Sequence, residues 1–184
     1  MKLVTKRLII REFEDSDVDN LIENINNIRV SKYLLIVPHP YLKKEAKWWI
    51  NHCKKQSKEK LRKSYNFAIE LKSEKKLIGG MGLTDFDRFQ GTGTIGYWLG
   101  EKYHRQGFMT EALNEMIKFC FNKLKLRRID IAALKENIPS NNLIKNVGFK
   151  YEGLRIKKVR PKSTGKVSDE LIYGMLKEDW KKKK

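Results

Sequence analysis

One stretch of the 184-residue chain combines the residue types that hold an anion: Ile95-Gly96-Tyr97-Trp98-Leu99-Gly100-Glu101-Lys102-Tyr103-His104-Arg105-Gln106-Gly107-Phe108-Met109-Thr110-Glu111-Ala112. It begins as an apolar strand, continues as a polar loop from Glu101 to Gly107, and ends as the start of a helix. In that helix Ala112, Leu113, Met116, Ile117, Cys120, Phe121 and Leu124 recur on one face. The first turn of any helix presents N–H groups without internal partners and about half a positive charge, so a phosphate binds there readily. Gly107 lets the backbone approach an anion closely, and Arg105 adds permanent charge. The spacing excludes two common phosphate loops. Only Gly107 fits a dinucleotide fingerprint, and a Walker loop's second glycine and Gly-Lys-Ser/Thr ending are absent. On local physics alone, Gly107 also reads as a plain turn residue.

Other reactive side chains carry less. His39 sits between prolines and His52 lies near Cys53, with no third ligand at metal-binding spacing, so no metal is expected. Cys53 and Cys120 lie far apart in helical segments and do not form a disulfide scaffold. Trp48 and Trp49 read as core or cleft wall, with a place in an acceptor groove as the functional alternative.

The elements that position these residues follow from periodicity. Residues 3–11 read as a first strand, and Asp15-Ser16 as the N-cap of a helix carrying Val18, Leu21, Ile22, Ile25 and Ile28. Pro38-His39-Pro40 breaks the chain before a helix over 43–56, and 57–63 reads as a basic loop. Strands are expected at 65–71, 77–83 and 94–100, with a turn over 85–93. After the long helix come a strand at 129–134, a short helix from Pro139 to Gly148, and an antiparallel pair over 151–159 and 167–176. The order predicts an α+β or mixed-sheet α/β domain. One domain over 1–180 is expected, followed by a basic, frayed tail at 181–184.

Lys and Arg number 40 against 22 Asp and Glu, giving a formal charge of +18. Such a balance favours polyanionic partners (RNA, ribosomes, acidic proteins, phosphorylated cofactors) and disfavours polycationic substrates. The competing reading is a solvated lysine surface that confers solubility. The start lacks the apolar stretch of a signal peptide, and no run approaches the roughly 18 apolar residues of a membrane span, so a cytoplasmic location is expected.

The loop and its flanks resemble the acetyl-CoA-binding motif of the GNAT superfamily of N-acetyltransferases, Gln/Arg-x-x-Gly-x-Gly/Ala. The matching positions are His104, Gly107 and Met109, of which the first and last depart from the commonest pattern. Ile95-Gly96-Tyr97-Trp98-Leu99 and Met109-Thr110-Glu111-Ala112 are more similar to the RimJ/RimL-like branch, the ribosomal-protein N-terminal acetyltransferases. Three further segments resemble that branch in the same order: Thr5-Lys6-Arg7-Leu8-Ile9-Ile10-Arg11, then Glu136-Asn137-Ile138-Pro139-Ser140 with Asn146-Val147-Gly148-Phe149, then Glu170-Leu171-Ile172-Tyr173 with Glu178-Asp179-Trp180.

The resemblance implies an α/β (α+β) fold, a single GNAT-like domain with a central mixed, mostly antiparallel sheet flanked by helices, and it implies roles. Backbone at Tyr97, Trp98 and Leu99 pairs with the pantetheine arm of acetyl-CoA, and the amides of Arg105, Gln106, Gly107, Phe108, Met109 and Thr110 hold its pyrophosphate. Asn137 bonds the cofactor's amide region, and Lys145 meets a phosphate or simply faces solvent. A backbone N–H near Leu99 polarises the thioester carbonyl, and Ser140 serves the departing thiolate or caps a helix. No general base carries over, because the positions that hold glutamates in other branches match Thr94 and Ala132. A tyrosine acid of another branch matches Ile144. Asp85, Glu101 and His104 are the nearby titratable groups.

Three functions are compatible with this reading. The first is acetylation of a protein N-terminus, ribosomal-protein type. The others are acetylation of a small amine (a diamine, amino acid or aminoglycoside), and RNA or ribosome binding by a protein whose acetyl-CoA site is idle. A homodimer is possible, with no interface identified.

Overall fold

Alternating apolar residues build eight strands: β1 (Lys2–Val4), β2 (Leu8–Arg11), β3 (Tyr65–Leu71), β4 (Lys76–Asp87), β5 (Thr92–Leu99), β6 (Arg128–Leu134), β7 (Lys150–Val159) and β8 (Ser168–Leu176). A computed structural model, which describes residues 1–182, joins them into one sheet of order β1-β2-β3-β4-β5-β6-β8-β7. Every neighbouring pair is antiparallel except β5 and β6, which run parallel. The helices are α1 (Val18–Ile25), α2 (Ile28–Ser31), α3 (Lys43–Ser57), α4 (Phe108–Lys118), α5 (Ile138–Val147) and α6 (Lys177–Lys182).

The period of two sorts each strand between two cores. Phe67 and Ile69 of β3 and Ile78 of β4 join Leu113, Met116 and Ile117 of α4 on one face. Ala68 and Leu77 turn to the other face, against Leu21 and Ile25 of α1 and Ala46, Ile50 and Cys53 of α3. Helices on both faces of a mixed sheet make the expected α/β architecture. Cys53 and Cys120 are free, and burial pushes both thiols up to about 12.

Local hydrogen bonds redraw several boundaries. The expected first strand is two, because Thr5 turns the chain: its amide donates to the Leu8 carbonyl at 3.0 Å and its hydroxyl accepts from the Leu8 amide at 2.9 Å. The cap of the first helical segment moves to Glu14, whose amide donates to the Asp17 carboxylate at 2.8 Å across a 3-10 turn over Asp15–Asp17. β4 runs on to Asp87 through a register shift beyond Thr84, with Asp85 at φ 48°. α4 passes at Phe119 into a π turn ending at Lys123. The chain remains helical through Lys182, so the first two residues of the expected tail belong to α6; the rest of that tail lies outside the described residues.

Candidate active site

The site is built at the one parallel pairing. β5 and β6 meet in register only at Thr94↔Asp130 among the described residues. Beyond that point a groove of about 570 Å³ opens between them, floored by Ile95 to Leu99 and Ile131 to Ala133 and closed by the starts of α4 and α5.

The β4–β5 register decides which way the backbone of β5 faces. The Gly100 amide donates to the Ile78 carbonyl at 2.8 Å, which makes Gly79↔Leu99 a non-bonded pair of the antiparallel ladder. Such pairs turn their N–H and C=O groups away from the partner strand. The pairing continues without slippage to Leu83↔Ile95, so Ile95, Tyr97 and Leu99 all present their peptide groups to the β6 side. His104 Nε2 lies 2.8 Å from the Leu99 carbonyl. A carbonyl only accepts, so Nε2 donates here, tying the loop to the strand end and leaving the Leu99 N–H for the groove.

The loop before α4 is held in a left-handed turn. Gly107 caps α4 at φ 78° and ψ 2°, and Arg105 stands at φ 60°. Arg7 braces the turn from the start of β2. Its Nε donates to Glu111 at 2.7 Å, its backbone amide to the same carboxylate at 2.8 Å, and its guanidinium to the Gln106 carbonyl at 2.8 Å. The guanidinium also lies 4.3 Å from the Phe108 ring centroid. Thr5 completes the clamp with a 2.6 Å hydrogen bond to Glu111. Burial works against the Glu111 charge, but the bonds from Thr5 and Arg7 outweigh it and hold its pKa below the ordinary carboxylate value.

Opposite the loop, α5 begins at Asn137, whose Oδ1 accepts from the Ser140 amide at 3.4 Å. Asn137 is therefore the N-cap, the role that sequence reading offered to Ser140. The Ser140 hydroxyl instead lies 2.9 Å from the Tyr97 hydroxyl. Burial pushes the Tyr97 phenol up to about 12.

Tyr97, Trp98, Leu99, Arg105, Gly107, Phe108, Met109, Thr110, Asn137 and Ser140 all line the groove. Gln106 does not; its side chain turns back to the Lys102 carbonyl at 2.8 Å. Phe108 and Met109 are buried, so the larger residue in place of a small one packs into the core. Lys145 is exposed and lies outside the groove. Thr94 pairs with β6, Ala132 lines the groove, and Ile144 is fully buried. Of the titratable candidates, Asp85 lies outside the groove. Glu101 lines it but is held by Arg29 at 2.9 Å and Asn27 at 2.7 Å, which keep its carboxylate below the usual range. Trp48 and Trp49 lie outside it too: Trp48 stacks on His52 at 5.2 Å on the surface of α3, and Trp49 packs against Phe13.

Sequence reading missed three parts of the site. The Tyr97 side chain could have been found, since period two puts it on the same face as buried Ile95 and Leu99. The Arg7–Glu111 clamp spans 104 positions and left no local signal. Nor did the wall made by Arg29, Val30, Lys32, Tyr33 and Leu34, which comes from a short helix and its exit.

Comparison with known proteins shows the family. The acetyltransferase (GNAT) domain family matches residues 7–150, most of the chain. The chain belongs to the GNAT acetyltransferases. It is 33% identical over 182 residues to the uncharacterized N-acetyltransferase YnaD of Bacillus subtilis, covering 98% of this chain and 99% of that one. A crystal structure of a GNAT-family acetyltransferase from Bacillus anthracis superposes with a TM-score of 0.79 at 28% identity, covering 97% and 99% of the two chains. The ribosomal-protein-serine acetyltransferase of Escherichia coli is 34% identical over 80 residues, 44% of this chain and 45% of that one. This GNAT protein is an N-acetyltransferase that uses acetyl-CoA. Among the described residues no cluster of His, Cys, Asp or Glu is arranged to hold a metal, and no helix is long and apolar enough to cross a membrane.

The residues present fit acetyl-CoA. Outward-facing peptide groups on Tyr97 and Leu99 suit the amides of a pantetheine arm. The left-handed Gly107 exposes the first amides of α4 beside Arg105, as a pyrophosphate requires.

Proposed function

We propose that this GNAT enzyme acetylates the α-amine of a protein N-terminus. The observation that carries the reading is the absence of a free carboxylate around the groove: among the described residues lining it, Glu101 is the only acid, and Arg29 and Asn27 engage it. A site without a carboxylate base needs an amine that is already largely neutral. An α-amine has a pKa near 8 and a lysine ε-amine near 10.4, so at pH 7.5 about a quarter of the first is neutral and about a thousandth of the second. The difference corresponds to roughly 3 kcal/mol that a base would have to supply. The same lack of free acid, beside Arg29 and Lys32, gives a diamine nothing to hold its second charge. The partial similarity to a ribosomal-protein-serine acetyltransferase supports the same acceptor class.

In this reading the Leu99 N–H polarises the thioester carbonyl, where negative charge develops as the amine attacks. Amides from Arg105 to Thr110, those of Gln106 included, hold the pyrophosphate, and Trp98 and Asn137 border the arm. Ser140 donates a hydrogen bond to the departing sulfur. The amine proton passes to water, the CoA thiolate takes a proton from solvent, and the product amide leaves with CoA as its free thiol.

Thiol release from acetyl-CoA, followed with N-terminal peptides, diamines, amino acids and an aminoglycoside, tests the proposal. Turnover of peptides with a free α-amine, and none once that amine is blocked, is expected. Turnover confined to small amines would replace the proposal with the small-molecule reading. Salt-sensitive RNA binding without any turnover would point to a binding role.

A further inference from the structure

The contact between Tyr97 and Ser140 goes one step beyond the role given to Ser140, and the inference rests on that reading. The two hydroxyls come from different elements, a strand of the sheet and the first turn of α5, and both line the groove. A serine hydroxyl rotates freely, so its single proton points at a departing sulfur only part of the time unless something fixes the rotor. Ser140 is already restrained on its backbone side, because Asn137 takes its amide. Its hydroxyl oxygen, 2.9 Å from the Tyr97 hydroxyl, has one strong partner in the described structure.

We infer that Tyr97 is a positioning residue for acetyl transfer: its hydroxyl donates to Ser140 Oγ and thereby turns the Ser140 proton toward the sulfur of the departing CoA. Two hydroxyls in contact share one hydrogen bond, so when Tyr97 donates inward, the free proton of the pair is the one on Ser140. Attack by the amine forms the new C–N bond and breaks the C–S bond, with the electron pair going to sulfur. The aligned Ser140 proton meets that charge as a hydrogen bond, and the ammonium proton goes to water.

Tyr97 keeps its own proton throughout. Its phenol is pushed up to about 12 by burial, while an ordinary thiol sits near 8.5. Passing the tyrosine proton along to the thiolate would be uphill by a factor of roughly three thousand. Orientation is therefore the function left to it, and no tyrosine titration should appear in the rate between pH 6 and about 10.

A double-mutant cycle on kcat, with CoA affinity measured alongside, tests the inference. Y97F keeps the ring and removes the hydroxyl; it is expected to lower kcat about tenfold while leaving the Kd for CoA within twofold of wild type. S140A is expected to lower kcat at least as much, and the double variant to be no slower than S140A alone. S140T, which keeps a hydroxyl, should recover most of the rate with Tyr97 present and little in the Y97F background. A Y97F enzyme with wild-type kcat, or a double variant whose loss equals the product of the single losses, overturns the inference while the role of Ser140 stands. Wild-type kcat in S140A would instead remove the proposed role of Ser140 and the inference with it. The CoA affinity separates these outcomes from misfolding, since a collapsed groove loses the ligand and S140T still reports on the hydroxyl pair.

Discussion

At Gly107 the backbone holds φ 78° with α4 beginning on the next residue. A side chain in that conformation costs on the order of 1–2 kcal/mol, more for a β-branched one. A Cβ there would also stand 3.4 Å from an Arg7 guanidinium nitrogen. Gly107→Val is therefore expected to weaken CoA binding at least tenfold by calorimetry; an unchanged Kd would mean that the loop does not approach the phosphates. Glu111, four residues on, carries a different prediction. Its folded-state pKa is depressed, so its contribution to stability is full above the ordinary carboxylate pKa and is lost as pH falls through the folded value. Tm should thus fall for wild type below about pH 4.5, and Glu111→Gln should be less stable at neutral pH with a flatter descent into acid. Parallel Tm curves for the two proteins would exclude the Arg7–Glu111 clamp as a source of that dependence.

Between elements, the groove depends on how closely β4 carries β5. Gly79 has no side chain where a Cβ would lie 2.5 Å from the Trp98 carbonyl oxygen and 3.1 Å from the Leu99 Cα. Gly79→Ala must disturb the β4–β5 contact at the point where Leu99 faces the groove. Overpacking of this kind costs about 1–3 kcal/mol, roughly 2–12 °C in Tm for a chain of this size. Turnover at saturating acetyl-CoA should fall beyond what that lost stability explains, measured well below the variant's Tm; full activity in a destabilised variant would show that the position of β5 is not critical. The glycines of this strand were visible in the sequence, but their purpose was not, since it lies in the neighbouring strand's register. Strongly periodic elements such as α3 and β3 were legible nearly to the residue. The break at Thr5, the cap at Asn137 and the π turn after Lys118 were not, because each rests on one or two hydrogen bonds that leave the hydrophobic pattern unchanged. Gly107 and Arg105, singled out in the sequence as an anion loop, do line the groove. The hydroxyl pair was not, because 43 positions separate its members.

For the molecule as a whole the question is what a charge of +18 does. Many surface cations are neutralised locally: Arg7 by Glu111, Arg29 by Glu101, Lys54 by Asp15, Lys102 by Glu23, Arg128 by Glu152. Around the groove, Lys32 and Arg105 have no carboxylate within 4 Å among the described residues, so their charges are not neutralised locally. The edge strand β7 and the loop after it carry Lys157, Lys158, Arg160, Lys162 and Lys166, a pattern that also protects an exposed sheet edge from pairing. If the groove cations steer acetyl-CoA, kcat/KM for it should fall about tenfold as salt rises from about 0.05 to about 0.5 M, because the screening length shrinks below the size of the groove mouth. Saturated kcat, which no longer includes the encounter, should change less than twofold. Arg105→Gln should lower kcat/KM at low salt and flatten its salt dependence, whereas a Lys157→Gln, Lys158→Gln double variant should retain both. Equal effects of the two variants would mean that acetyl-CoA responds to total charge, and a salt-independent kcat/KM would leave solubility as the function of the excess lysines.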